Sequence, residues 1–311
     1  MKQAKGFFFL IGAFMLAGTA VIAARYVTGK IGPYTITCIS LFFAVLFLFP
    51  FMKRNSLQHI FHLKKQDWLH LLFQAVCGVF LYRMFLLSGL LYTSSAEAGI
   101  LIGTTPAITI ILSKILFKEK LSSLKALGIS GTLIGIFLIQ NLFTSSIHFS
   151  ASHILGNIFV LCAATCESLF NACSKIMANQ NQSKNNVLSP MEQTVLVSLI
   201  AIALCLLPAS FEHPLSMLAQ STPNEWLALI WYGIFVTALA YIFWYAGIQR
   251  CSLSTAAAFS GIVPCTAMLL SVFILKEIPT TEQWIGCLFL IASMTLIGFD
   301  KNHSPAAATA R

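Results

Sequence analysis

Four charged side chains lie well inside long apolar stretches of this 311-residue chain: Arg83, Glu97, Glu167 and Lys175. A charge far from water is costly unless it is paired or hydrated, so each is a candidate for chemistry. Arg83, with Tyr82 beside it, could hold a substrate anion or an internal carboxylate, or reach back to the surface. Glu167 lies in Thr165-Cys166-Glu167-Ser168, with Asn171 one helical turn further on. A carboxylate withdrawn from water favours its neutral form, which suits proton coupling. The alternative use of Glu167 is an ion pair with Lys175, two turns along the same face. Glu97 is nearer the end of its stretch, where it is expected to be wet, and Lys114 is placed to snorkel toward headgroups. Trp231, Tyr232, Tyr241, Trp244 and Tyr245 crowd a single stretch. Tyr241 is deep enough there to line a cavity, and Trp244 joins it as a candidate contact. The candidate substrate-binding set is therefore Arg83, Glu167, Tyr82, Glu97, Tyr241 and Trp244.

The scaffold around these groups follows from composition. The chain is 58% hydrophobic and 9% charged, against roughly 45–50% apolar and about 25% charged in soluble domains. About 20 apolar residues cross the hydrocarbon of a bilayer as a helix. Breaks at Pro, Gly and charge clusters give ten such spans, near 7–27, 34–52, 68–90, 95–117, 123–142, 154–177, 190–209, 225–248, 253–275 and 282–299. Runs such as Phe42 to Phe49 do not alternate, which excludes a membrane barrel. The fold class is an all-α integral membrane protein. The run from Met1 to Ala24 is longer than a signal-peptide core and is needed as the first span.

The net charge of +9 comes from lysines and arginines in short loops, so it reads as topology and lipid contact rather than nucleic-acid binding. With the N-terminus cytoplasmic, thirteen loop or tail cations fall on that side: Lys2, Lys5, Lys53, Arg54, Lys64, Lys65, Lys118, Lys120, Lys125, Lys184, Arg250, Lys301 and Arg311. Only two, Lys30 and Lys276, fall opposite. Both termini are expected inside. The nine cysteines form no CxxC pair, so neither a disulfide framework nor a metal site is expected, and no cofactor.

A constant shift of 158 aligns Gly89, Pro106, Glu119 and Gly128 with Gly247, Pro264, Glu277 and Gly286, and Trp68 with Trp226. Residues 1–146 and 147–300 are thus two five-span repeats followed by a tail, 301–311. An odd number of spans per copy turns the second copy over in the membrane. Pro106 and Pro264 each remove a backbone donor mid-span, so both should kink their helices beside a wet path. Gly99/Gly103 and Gly131/Gly135 are spaced for close helix contacts. Glu119 and Glu277 stand beside lysines, where a loop ion pair is the plain expectation.

Residues Leu91 to Ala98 continuing through Pro106 to Glu119, and Ser254 to Ala258 through Pro264 to Glu277, resemble the EamA-type branch of the drug/metabolite transporter superfamily. In that family each half carries a small-residue-rich helix with a central Pro and a terminal Glu, followed by a Gly-containing helix. The resemblance implies ten spans, with the first, third, fourth, sixth, eighth and ninth around a central cavity. One departure is Ser40, seven residues after Pro33, where many members have Arg. The expected function is that of an inner-membrane secondary transporter of small polar metabolites by alternating access, as monomer or homodimer. Export of amino acids or their derivatives is the first expectation, and uptake of a nucleotide-like or sulfonium metabolite the alternative.

An enzyme is the rival class. Gly128-Ile129-Ser130-Gly131 reproduces the GxSG of intramembrane serine proteases, but every histidine after it, His148, His153, His213 and His303, lies in a loop, edge or tail. Nothing completes a dyad, and no HExxH, P-loop or dinucleotide motif appears in a suitable context.

Overall fold

The computed structural model describes residues 2–27, 29–52, 60, 63–93, 95–119, 121–140, 153–183, 188–276 and 278–299. Lys53, Arg54, Lys120, His148, Lys184, Glu277, Lys301, His303 and Arg311 lie outside the described residues. The described residues are mostly helical, with no strand among them.

The helices are α1 (Lys2–Gly18, continued by Ala20–Val27), α2 (Pro33–Leu48), α3 (Lys65–Leu90), α4a (Ser95–Ile102), α4b (Thr105–Phe117), α5 (Ser123–Ile139) and α6 (Ile154–Ser183). They continue as α7 (Pro190–Ser210), α8 (Pro223–Ile248), α9a (Leu253–Phe259), α9b (Ile262–Leu270) and α10 (Thr281–Phe299). Eight helical stretches are long and apolar enough to cross a membrane, and α4b and α5 are two shorter apolar helices. The starts are written locally. Ser122 accepts from Lys125 N at the head of α5, Ser189 and Glu192 form a capping box on α7, and Ser252 accepts from Thr255 N at α9a. Each cap satisfies donors that the first helical turn leaves free. Asp67 accepts from Lys64 N at 3.3 Å, which starts α3 at Lys65, earlier than the hydropathy break suggests. Helix α6 runs on to Ser183 through a polar segment beyond its apolar span.

The fourth and ninth spans are broken at equivalent places. Gly103 and Thr104 separate α4a from α4b, and Ser260 and Gly261 separate α9a from α9b. Pro106 and Pro264 follow each break, and a proline at those positions cannot bond the carbonyl four residues back. Nearby hydroxyls turn inward, Thr104 donating to Leu101 O at 2.6 Å and Ser260 to Ala257 O at 2.7 Å. A feature without a sequence signal is a widened, π-type turn in both α3 (Val76–Leu81) and α8 (Tyr232–Leu239). The 158-residue shift carries 76–81 onto 234–239, so the wide turns are repeated features of the two halves. Such turns offset the side chains beyond them and are frequent at functional sites. Here they precede Tyr82 and Arg83 in one half and Tyr241 in the other.

Packing follows the repeat. A Cβ at Gly128 would lie 2.6 Å from Ile297 and 2.9 Å from Ser293 O, and one at Gly286 would lie 2.9 Å from Ile139 and 2.8 Å from Gly135 O. Adding 158 to Gly128 and subtracting it from Ser293 and Ile297 converts the first contact into the second. Helices α5 and α10 therefore cross antiparallel through exchanged contacts. The same exchange relates Gly247–Leu10 to Gly89–Val160, and Gly6–Cys251 to Gly156–Thr93. For α1 and α6 the offset is 150, as Leu10 and Val160 show. Large apolar side chains, including Phe8, Phe42, Leu127, Leu207 and Phe273, stand exposed on the outside of the bundle. In water such a surface would aggregate, whereas in lipid it is solvated.

Loop contacts sort into two ends. At one end Lys30 pairs with Glu225, and Glu212 accepts from Thr35 N at 2.7 Å and Thr35 Oγ1 at 2.8 Å. At the other end Glu119 and Lys175 engage the chain between α8 and α9a. The ten-span alternation assigns these loops to the same two faces.

Candidate substrate cavity

A cavity of about 800 Å³ opens between the broken helices. Its walls include Tyr82 from α3, Thr105 and Pro106 from α4b, Glu167 and Asn171 from α6, and Pro264 from α9b. Phe14 of α1 and Ala257 of α9a also line it. Both prolines face this space because the interrupted helices bend around it. The mouth carries Gln140, Ile278, Pro279, Thr280 and Gln283. Gln140 ends α5, while Glu119 precedes its start, so the 17 residues of α5 separate mouth from Glu119 by about 25 Å.

Glu167 receives a hydrogen bond from Thr105 Oγ1 at 3.2 Å. Ser168, buried beside it, donates to Thr105 O at 3.1 Å and Ala164 O at 2.8 Å, which fixes α6 against the start of α4b. The pair with Lys175 is not formed: Lys175 Nζ donates to Ile248 O at 3.0 Å and Cys251 O at 2.7 Å. The first carbonyl ends α8 and the second lies in the turn after it, and together they satisfy the ammonium more closely than a carboxylate two turns away. Glu167 is thus held in the cavity wall by one neutral hydroxyl.

Arg83 is half-buried. Its Nη2 donates to Tyr232 OH at 3.3 Å, and its Cζ lies 5.7 Å from the centre of the Tyr232 ring. The contact joins the third span to the eighth through a side chain whose wide turn begins at Tyr232. Among the described residues neither Arg83 nor Glu167 forms an ion pair. Arg83 follows Tyr82, which lines the cavity together with Glu167. Tyr241, at the repeat position of Arg83, packs its ring 5.9 Å from Phe170 and 6.2 Å from Tyr245.

Of the six candidates Tyr82 and Glu167 line the cavity, while Arg83, Tyr241, Trp244 and Glu97 are not among its lining residues. Trp244 is 5% exposed and wedged between Phe14, 5.7 Å away, and Phe170, 6.3 Å away, as part of the core. It supports the wall and does not line the cavity. Glu97, expected to be wet, is 2% exposed. His153 Nδ1 lies 2.6 Å from its Oε1, and Asn157 Nδ2 donates to its Oε2 at 2.5 Å. This group ties the α3–α4a junction to the start of α6. Sequence reasoning missed Thr105 as a cavity residue, although a hydroxyl next to the kinking proline was the available signal. Ser130 is exposed on the outer side of α5, because Gly128 and Gly131 take the face toward α10.

A helical membrane bundle with interrupted helices around a cavity has the architecture of secondary transporters. The sequence matches the EamA-like transporter family over residues 4–140 and 154–299, and the chain belongs to that family. It is 29% identical to the uncharacterized transporter YetK of Bacillus subtilis (strain 168), over 98% of this chain and 90% of that protein. It is also similar to the uncharacterized transporter YyaM of the same organism, at 20% identity over 96% of this chain and 95% of that one. A solved crystal structure of a protein 20% identical superimposes with a TM-score of 0.73, over 95% of this chain and 96% of its own, which shows the shared fold. The protein is a membrane transporter.

Proposed function

We propose that this chain is a secondary transporter of the bacterial-type inner membrane that exports small polar metabolites, amino acids or their derivatives, by alternating access. The observation that carries this reading is the pair of opposite charges without ionic partners among the described residues, Glu167 in the cavity wall and Arg83 directly after cavity-lining Tyr82. Keeping two such charges inside a membrane is costly unless a ligand meets them. A small zwitterion presents an anion to Arg83 and a cation to Glu167. The antiparallel exchange of contacts between α5 and α10 supports an inverted repeat, the arrangement that lets one half rock against the other around a fixed site. The charge bias of the loops supports cytoplasmic termini, and with them a cavity mouth on the outer face.

Counterflow of labelled amino acids into proteoliposomes tests the assignment. Arg83→Ala and Glu167→Gln are expected to abolish flux while inserting and purifying like the parent protein. Parent-like rates in both variants would remove these residues from the site.

A further inference from the structure

The cavity is open at one end and shut at the other, and the shut end is held by charged side chains that the substrate site does not use. We propose that Glu119, Lys125 and Lys175 form the gate that closes the cavity at the end opposite its mouth, by clamping the chain from Ile248 to Ser254. This rests on the transporter reading above and assigns a role to residues outside the cavity.

Glu119 Oε1 accepts from Leu253 N at 2.9 Å, and its Oε2 from Ser254 N at 3.2 Å and Ser254 Oγ at 2.5 Å. Lys125 Nζ donates to Ser252 Oγ at 2.7 Å. Lys175 takes the carbonyls of Ile248 and Cys251 from the other side. One carboxylate and two ammonium groups from the fourth-to-fifth span junction and the sixth span therefore hold the single turn that joins α8 to α9a. Beneath them Phe7 of α1 stacks on Phe259 at 5.2 Å, and Phe259 is buried.

The other end supplies the contrast. Gln283 stands at the repeat position of Lys125, since 125 plus 158 is 283. Its amide donates to Ile139 O at 3.1 Å, and it lines the open mouth instead of bridging to the turn between α3 and α4a. At the mouth the amide matching Lys125 is thus turned aside, while Glu277, which matches Glu119, lies outside the described residues. For the cavity to reach the Glu119 side, the bonds to residues 248–254 must break, so their strength sets how often that side opens. Glu119, Lys125 and Lys175 are positioning residues for this step.

Cys251 is a native reporter of the clamp. It is 2% exposed, and its own carbonyl accepts from Lys175. N-ethylmaleimide modification of purified protein, followed peptide by peptide, compares Cys251 with Cys38 and Cys205, which pack between α2 and α7 away from the clamp. Glu119→Gln is expected to raise the rate at Cys251 about tenfold, the loss of roughly one charge-assisted hydrogen bond, and to leave Cys38 and Cys205 unchanged. Glu119→Asp should restore part of the protection, and Lys175→Met should repeat the selective rise. An unchanged Cys251 in Glu119→Gln, or an equal rise at all three cysteines, overturns the proposal, because the carboxylate then serves general stability. The modification requires no substrate, so this result is independent of whether Arg83 and Glu167 carry transport.

Discussion

Arg83 lies on the face of Tyr232 and donates to the hydroxyl of the same side chain, with Nη2 at 3.3 Å from the oxygen and Cζ at 5.7 Å from the ring centre. A planar guanidinium can make both contacts and keep further N–H groups for an anion, which a lysine ammonium cannot reproduce. Arg83→Lys is therefore expected to transport no better than Arg83→Ala. Tyr232→Phe keeps the ring and loses one hydrogen bond of about 0.5–1.5 kcal/mol, so its KM should rise by about two- to tenfold with kcat largely kept. A parent-like KM for Arg83→Lys in proteoliposome counterflow would show that the fork geometry is not used.

Glu167 meets one hydroxyl, Thr105 Oγ1, and no cation among the described residues. A carboxylate so placed is the candidate for coupling transport to protons. Uphill transport by the parent protein should slow when nigericin collapses the pH gradient. Glu167→Gln should lose both the substrate-protective thermal shift and uphill flux, and Glu167→Asp should keep a reduced flux that still responds to the gradient. Uphill transport indifferent to nigericin in the parent protein would exclude proton coupling at this residue.

The spans and the two kinks were legible because each has a local cause: an apolar run of sufficient length, or a proline in the middle of one. Breaks at Gly103 and Gly261 fall where the shared pattern around Pro106 and Pro264 points. Arg83 and Glu167 were legible as costly charges, but their partners were not. Tyr232 comes from another span, and the wide turn beginning at that residue rotates the rest of its helix out of regular register. Trp244 read as a cavity residue because aromatic character and depth are visible in sequence while helix rotation is not. Glu119 read as a loop ion pair because Lys118 adjoins it, whereas its hydrogen bonds go to backbone 134 and 135 residues away. Long-range uses of short polar side chains leave no periodic trace.

The ends of the bundle make a separate prediction. Lys30 with Glu225, and Glu97 with His153, mark the end that carries the cavity mouth, and Glu119 with Ser254 marks the other. On the loop-charge bias the Glu119 end is expected on the cytoplasmic side. A fluorescent protein fused after residue 299 should be bright, and alkaline phosphatase at the same site inactive. Phosphatase inserted between residues 276 and 281 should be active. The reverse pattern would turn the bundle over and make the open cavity face inward.

Gln74 offers a stability test outside the cavity. Its side chain is fully buried, and its Oε1 accepts from Gln193 Nε2 at 2.9 Å and Tyr245 OH at 3.0 Å, with Ser174 Oγ at 3.4 Å. One amide oxygen thereby joins α3 of the first half to α6, α7 and α8 of the second. Ser174 has a second acceptor, Phe170 O at 2.8 Å, so Gln74→Leu strands chiefly the Gln193 and Tyr245 donors. A buried donor left alone costs about 1–3 kcal/mol, and Gln74→Leu should destabilise the protein by about 2–6 kcal/mol, read as a lower Tm in detergent. Removing a stranded partner relieves part of that cost, because two apolar groups in place of a bonded pair leave nothing unsatisfied. The double variant Gln74→Leu/Gln193→Leu should accordingly be more stable than Gln74→Leu alone. A double variant that simply adds the two losses would mean that the amides contribute packing volume rather than a hydrogen-bonded junction between the halves.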